Sequence, residues 1–338
     1  MGSNFVRWVL GKHPGDSVLN LDKLTYSGNL FTLRDLEKET RHTFMRGDIC
    51  DRPKVQEALA QGVDVVIHFA AETHVDRSIL DSSAFVKTNV LGTQCLLEAA
   101  RQARVKRFVV VSTDEVYGSA PAGGWFNEES SLAPNSPYAA SKASADLVAR
   151  AYFRTYHFPV IIVRCTNNYG PYQYPEKFIP LIITRARAGR SLPVYGDGLQ
   201  IRDWLYVMDH CAALESVLDR GREGEIYNLG AGNERTNLAI AKLILQLLGK
   251  PESLLTHVQD RPGHDRRYAL DFGKARKELG WAPHTPLEEG LRQTVAWYLA
   301  HREWTRRVAA RGYQSYCRKQ YDQRDATLAE VLGSKGTA

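Results

Sequence analysis

Short runs of consecutive apolar, largely β-branched residues recur along this chain, and stretches with helical periodicity separate them. Ser17–Asp22 (SVLNLD), Asp64–Ala70 (DVVIHFA), Arg107–Ser112 (RFVVVS) and Val160–Cys165 (VIIVRC) read as strands. Runs that are apolar throughout, rather than at alternate positions, suit a parallel sheet covered on both faces. Between them, Val86–Ala103 sets Val90, Cys95, Leu96, Leu97 and Ala100 on one helical face. Strand–helix alternation of this kind predicts an α/β fold with a doubly wound parallel sheet, Rossmann-like, whose ligands sit beyond the carboxyl ends of the strands.

The texture changes after Cys165. Residues 166–203 are rich in Tyr, Pro, Asn and Gly, and the chain beyond Gly230 mixes helix with loop. This divides the chain into a nucleotide-binding domain, 1–166 with 203–229, and a smaller mixed C-terminal substrate lobe, 167–202 with 230–325. Residues 326–338 form a tail that ends in a frayed GSKGTA. The 338 residues are enough for one large domain or two closely joined ones.

Composition narrows the function classes. The net charge is +6, but Lys and Arg are interleaved with Asp and Glu and form no basic cluster or tail. That disfavours a nucleic-acid binder and leaves a smaller anion, such as a diphosphate, as a compatible partner. No apolar run is long enough to span a bilayer, and no secretory leader is legible, so the expected location is cytoplasmic. The five cysteines, Cys50, Cys95, Cys165, Cys211 and Cys317, are scattered without a C-x-x-C pair. Free thiols are expected, and no metal site.

A dinucleotide fold opens with a strand, a glycine-rich turn and a helix, and an acid about 20 residues past the glycines takes the ribose hydroxyls. Here Asp22 closes SVLNLD, and counting back reaches Gly2. Gly2 then stands where the third glycine belongs, residues 3–12 are the following helix, and the first strand and glycine turn are missing. Backbone N–H groups at that turn normally cradle a pyrophosphate. Residues 1–338 are therefore expected to hold a dinucleotide weakly and to be largely inactive. Asp22 read alone is equally a strand-end cap.

Two constellations carry chemistry. In PYAASK, Tyr138 and Lys142 are spaced i, i+4 and share a helix face, with Ser136 and Pro137 marking the helix start. An ammonium near a phenol favours phenolate, which equips Tyr138 as a base. RFVVVS runs directly into Thr113, Asp114 and Glu115, placing adjacent carboxyls at a strand tip. Crowding there keeps one carboxyl protonated and supplies an acid beside a base. The bland readings are a surface helix pair and solvated loop acids.

STDEVYG followed by NSPYAASKASAD resembles the signature of the nucleotide-sugar 4,6-dehydratases. LDKLTYSGNL, RGDICD, HFAAETHVDRSI, NVLGT, RCTNNYGPYQYPEKFIPL, LPVYGDGLQIRDWLYVMDH, YNLGAGNERTN, DRPGHDRRYALD and YQSYCRKQYDQR extend the likeness from Gly2 to about residue 325. They resemble the dTDP-glucose branch of the extended short-chain dehydrogenase/reductase superfamily.

The resemblance implies oxidation of a dTDP-hexose at C4, loss of water across C5 and C6, and reduction at C6, with NAD regenerated. By the same likeness, Thr113 binds the C4 oxygen, Asp114 is the acid, Glu115 the base, and Tyr138 with Lys142 serves the oxidation. NAD would be held by Asp22, Lys23, Leu24 and Thr25, by Asp48 and Ile49, by Phe69, Ala70, Ala71 and Thr73, and by Thr88, Tyr138, Lys142 and Asn168. The nucleotide sugar would be held by Thr73, His74, Thr113, Asn167, Lys177 and Phe178, by Pro193, Val194, Tyr195 and Arg202, and by Asn237, Asp260, Arg261 and His264. The guanidinium forks of Arg202 and Arg261 match phosphate oxygens. The family is usually homodimeric, with helices around Leu96 and Tyr138–Tyr152 as the expected interface. A related epimerase or decarboxylase acting on a UDP-sugar, and a non-catalytic nucleotide-sugar-binding homologue, are the alternative readings.

Overall fold

The computed structural model describes residues 1–309 together with Arg324 and Gly333. The tail motif YQSYCRKQYDQR (apart from Arg324), Cys317, and the end of the substrate lobe with its tail lie outside the described residues.

The first half runs α1 (Gly2–Lys12), β1 (Val18–Asp22), β2 (His42–Arg46), α2 (Arg52–Leu59), β3 (Val65–His68), α3 (Val75–Leu80), α4 (Ser83–Phe85), a π-helical turn Val86–Gly92, α5 (Thr93–Gln102), β4 (Arg107–Thr113), a 3-10 turn Asp114–Tyr117, and α6 (Pro137–Tyr156). The second runs β5 (Val160–Cys165), β6 (Asn167–Tyr169), α7 (Phe178–Arg187), β7 (Leu192–Tyr195), β8 (Ile201–Tyr206), α8 (Val207–Arg220), β9 (Ile226–Leu229), β10 (Glu234–Thr236), α9 (Asn237–Leu248), β11 (Leu255–Val258), α10 (Gly273–Leu279), α11 (Leu287–Ala300) and α12 (Arg302–Val308).

Strands β3-β4-β5-β9 form a parallel sheet, with Phe108 opposite Val160 and Ile162 opposite Ile226. The central strands β4 and β5 are buried on both faces along nearly their whole length, as suits strands flanked by parallel neighbours. Along β4, Val109 and Val111 enter one core with Ile161, Val163, Leu205, Leu214 and Val217. Phe108 and Val110 enter the other, with Val160, Ile162, Leu97 and Ala149. Each such side chain taken from water contributes roughly 1.5–3 kcal/mol.

The doubly wound sheet is present in two pieces. β1 and β2 form a separate parallel pair, and β1 is not hydrogen-bonded to β3. β1 and β3 are only partly covered, with Val65 at 41% exposure, whereas strands buried on both faces were expected. α1 covers the residues anticipated for the first helix.

Beyond Cys165, β10-β8-β6 and β11-β7 form two small sheets. A separate core of Ile182, Ile183, Trp204, Ile244, Leu291 and Tyr298 joins α7, β8, α9 and α11. The expected single helix over Val86–Ala103 divides into the π turn and α5. Its Leu96, Leu97 and Ala100 are buried, whereas Val90 and Cys95 are half-buried. Among the described residues no helix is long and apolar enough to cross a membrane, and Cys50, Cys95, Cys165 and Cys211 are free thiols.

Candidate active site

The carboxyl tip of β4 brings two adjacent carboxyls together beside Thr113. Asp114 is 3% exposed, and its Oδ2 is buried without a partner. Its Oδ1 accepts from Thr113 Oγ1 at 3.2 Å, and Thr113 Oγ1 in turn accepts from the Glu115 backbone N–H at 3.3 Å. Burial raises the Asp114 carboxyl well above the ordinary range, and neighbouring Glu115 adds to the rise. Burial also raises Glu115, but the cations Arg261, Arg202 and Lys177 oppose it. Both carboxyls are thus pushed toward the protonated form, Asp114 the more strongly, while three cations offset part of the rise at Glu115.

Tyr138 and Lys142 lie one turn apart on α6. The helix starts at Pro137 because Ser136 Oγ accepts from the Ala139 N–H at 3.1 Å and proline suits the first helical position. Both side chains are buried, and Tyr138 packs edge-on against Phe85 with ring centroids 6.3 Å apart. The Lys142 ammonium donates to the Val111 carbonyl at 2.8 Å. The expected lowering of the Tyr138 phenol is not what the structure shows. Burial raises it well above its usual value, with Glu115 adding to the rise, while the Thr113 side chain works the other way. Desolvation outweighs the ammonium because Lys142 is itself buried and spends its charge on a strand carbonyl.

The anticipated cofactor residues gather along the strand tips. Asp22 ends β1, and its Oδ1 accepts from the Leu24 N–H at 2.7 Å, so the strand-end cap is realised too. Leu24 has φ 56°, and a Cβ at Gly28 would fall 2.6 Å from Leu24 Cα. The tight turn over 22–28 thus requires glycine at that position. Lys23 pairs with Asp48 at 2.6 Å beside Ile49. Thr25 is in the same turn, with its carbonyl accepting from the Gly28 N–H. Phe69, Ala70, Ala71 and Thr73 follow β3, and Thr88 is in the π turn. Asn168, on β6, donates to the Thr166 carbonyl at 3.1 Å.

The anticipated substrate residues approach from the other side. Lys177 donates to the Thr73 carbonyl at 2.7 Å, and Phe178 stacks on Trp204. Arg202 is 4% exposed, donates to the Asp265 carbonyl at 3.0 Å and covers the Tyr268 ring at 4.0 Å. Asp260 accepts from the Arg261 N–H at 2.8 Å and pairs with His264 Nδ1 at 2.6 Å. Tyr195, at the end of β7 after Pro193 and Val194, donates to Asp76 at 3.1 Å. His74 is buried 3.8 Å from the same carboxylate. Asn237 opens α9. The Oδ1 atoms of Asn167 and Asn168 and the Nε of Arg261 are buried without a partner.

Sequence reasoning missed several residues in this cluster. Tyr268 donates to Asp265 Oδ2 at 2.9 Å and lies 3.3 Å from Glu115 Oε2. Glu176 accepts from Tyr26 at 2.9 Å and from Arg77 at 3.1 Å, tying the turn after β1 to the substrate side. Tyr268 lies inside DRPGHDRRYALD, and Glu176 directly precedes Lys177. No local periodicity marks either one, because Glu115 lies 153 residues from Tyr268 and Tyr26 lies 150 residues from Glu176.

Residues 1–294 match the family described as GDP-mannose 4,6 dehydratase. The dTDP-glucose 4,6-dehydratase of Streptomyces niveus is 54% identical over 308 residues, covering 90% of this chain and 91% of that protein. That of Xanthomonas campestris pv. campestris is 49% identical over 333 residues, covering 93% and 94%. The crystal structure of DesIV, a dTDP-glucose 4,6-dehydratase from Streptomyces venezuelae with NAD and TYD bound, superposes with a TM-score of 0.89 at 50% identity, covering 91% of this chain and 96% of that one. UDP-glucose 4-epimerase from Thermotoga maritima superposes at 0.82 with 29% identity, covering 88% and 95%. With adjacent carboxyls at the β4 tip, a Tyr–Lys pair on α6 and likeness along nearly the whole chain, this protein belongs to the nucleotide-sugar 4,6-dehydratase family, in its dTDP-glucose branch.

Proposed function

We infer that this chain dehydrates dTDP-D-glucose to dTDP-4-dehydro-6-deoxy-D-glucose, with no net redox change. The observation that carries this reading is the pair of adjacent carboxyls at the β4 tip: Asp114 Oδ2 is buried without a partner, and Glu115 Oε2 lies 3.3 Å from the Tyr268 hydroxyl in the field of Arg261, Arg202 and Lys177. An epimerase has no use for a dedicated acid beside a dedicated base. A C5 proton becomes acidic only beside a C4 ketone, and the C6 hydroxyl leaves only when protonated. Glu115 takes the first proton and Asp114 supplies the second, each transfer worth ~10²–10⁴ in rate. Tyr138, ionised beforehand, takes the C4 hydroxyl proton and ends as the neutral phenol, Thr113 orients that oxygen, and Lys142 supplies the positive charge that favours the phenolate before the transfer.

The residues present fit a nicotinamide dinucleotide. An acid ends β1, and the partnerless Asp114 Oδ2 and Asn168 Oδ1 belong to residues that follow the paired strands β4 and β5. Bound NAD supplies the hydride acceptor and donor. Asp22, Lys23, Leu24, Thr25, Asp48 and Ile49 would hold one end, and Phe69, Ala70, Ala71, Thr73, Thr88, Lys142 and Asn168 the other. Arg202, Arg261 and Lys177 converge on the field at Glu115 and suit a diphosphate-linked sugar.

The substrate lobe is assigned to 167–202 and 230–325. We place the protein in the cytoplasm as a homodimer. Leu96 is 6% exposed and belongs to its own core, so it contributes nothing to a partner. Exposed apolar side chains on the π turn before α5 and on α6 include Leu91 at 58% and Leu147 at 57%, and these are the contact candidates. Incubation with dTDP-glucose, UDP-glucose and UDP-glucuronate tests the reading. The 4-keto-6-deoxy product, detected by its absorbance in alkali, is expected from dTDP-glucose alone. Epimerised or decarboxylated products would sink the assignment.

A further inference from the structure

Asp114 and Glu115 stand on a four-residue 3-10 turn, a conformation with poor hydrogen-bond geometry and little rigidity of its own. Its backbone is held by Gly118 N–H to the Glu115 carbonyl at 3.2 Å and Ala133 N–H to the Val116 carbonyl at 3.1 Å. The strongest anchor is the side chain at its end. Tyr117 is 1% exposed and stacks on Phe126 with centroids 5.1 Å apart and planes at 17°. Its hydroxyl donates to Asn228 Oδ1 at 2.9 Å and accepts from Arg164 Nη1 at 2.8 Å.

Arg164 reaches in the opposite direction as well. Its Nε donates to Asp146 Oδ2 at 2.9 Å. Asp146 lies one helical turn beyond Lys142 on α6, and both members of the ion pair are buried, with side chains 4% and 1% exposed. One guanidinium therefore bridges the acid–base turn to the helix that carries Tyr138 and Lys142. A buried ion pair is costly to desolvate and is better explained by the geometry it fixes than by net stability.

We propose that Arg164 is a positioning residue for the dehydration half of the reaction: shared between Tyr117 and Asp146, it sets where Asp114 and Glu115 stand relative to Tyr138 and Lys142. The assignment rests on the dehydratase reading. Arg164 touches none of the residues assigned to the sugar nucleotide, so its effect falls on proton transfer at C5 and C6 rather than on binding. Only a planar fork can serve both partners; a lysine ammonium keeps the charge but not the two-way reach.

The test compares Arg164→Lys and Tyr117→Phe with the unsubstituted chain, all loaded with NAD. Tyr117→Phe keeps the stack on Phe126 and guards against failure of Arg164→Lys to fold. A displacement of about 1 Å between reacting groups costs roughly 10² in rate. Arg164→Lys is therefore expected to lower kcat about 10- to 100-fold with KM for dTDP-glucose steady. Reduced-nicotinamide absorbance should accumulate on mixing, because oxidation at C4 continues while elimination stalls. Amide hydrogen exchange, followed by mass spectrometry without substrate, should speed up in 113–118 in both variants but not in 107–112. Loss of the absorbance in parallel with kcat, a raised KM with kcat intact, or exchange that rises throughout the sheet or nowhere would each overturn the proposal. If the unsubstituted chain fails to turn over dTDP-glucose, the functional reading falls, and the exchange comparison alone then decides whether Arg164 locks the turn.

Discussion

Replacing Asp114 by Asn separates what this carboxyl does for chemistry from what it costs the fold. The amide is close in shape to the protonated acid, and its oxygen can still accept from Thr113 Oγ1, which lies 3.2 Å from Asp114 Oδ1. The buried, partnerless Oδ2 is the position from which a proton can leave. Asn cannot give it up, so kcat is expected to fall ~10²–10⁴-fold, the range for a lost general acid. Stability should move the other way. Burial and then Glu115 raise the folded-state Asp114 above its ordinary value, so the folded state binds the extra proton. A carboxyl raised in this way contributes stability below its unfolded value, and that contribution disappears as pH climbs through the folded one. Each unit of rise is worth about 1.4 kcal/mol once the pH exceeds both values. Asp114→Asn removes this penalty. It should melt higher than the parent in neutral and alkaline buffer, by about 2 °C per kcal/mol regained in a chain of this size. Near the ordinary carboxylate range the two should melt together. Scanning calorimetry across pH, paired with steady-state dehydration assays, makes the check. A variant that melts lower at every pH, or one that keeps more than a tenth of parental kcat, would refute the assignment of Asp114 as a buried, protonated acid.

Two further outcomes follow from the same geometry. Tyr268→Phe deletes a hydroxyl 3.3 Å from Glu115 Oε2. If the phenol swings its one proton from Asp265 Oδ2 to Glu115 when the base ionises, its loss should move the acid limb of kcat/KM to higher pH; an unmoved limb would dissociate Tyr268 from the base. Leu147→Asp places a charge on an exposed apolar site of α6. If the parent sediments as the proposed dimer, the variant should sediment as a monomer, and an unchanged dimer would move the interface elsewhere.

How far the sequence reaches depends on whether a residue's signal is local. The strands Arg107–Thr113 and Val160–Cys165 were legible almost to the residue, because burial on both faces demands an unbroken apolar run and leaves no alternation to misread. Ser136 and Pro137 announced α6, and with it the shared face of Tyr138 and Lys142, through capping chemistry that needs only four neighbours. The half-exposed β1 and β3 departed from expectation for a nonlocal reason: apolar runs describe what a strand can bury, while its cover depends on which strand lies beside it. The Tyr138 phenol departed for an energetic one. Spacing puts an ammonium nearby, but only the packing of Phe85 and the capture of Lys142 by the Val111 carbonyl reveal that desolvation wins. Arg164, Tyr117 and Asp146 show the limit most clearly. Each is ordinary in its own segment, and their common function exists only where β5, the turn after β4 and α6 converge on a single guanidinium. In a doubly wound fold the reacting groups come from separate strand tips, so the residues that set their relative positions must be cross-linkers between elements, and cross-linkers are the class of residue that periodicity and local motif leave unmarked.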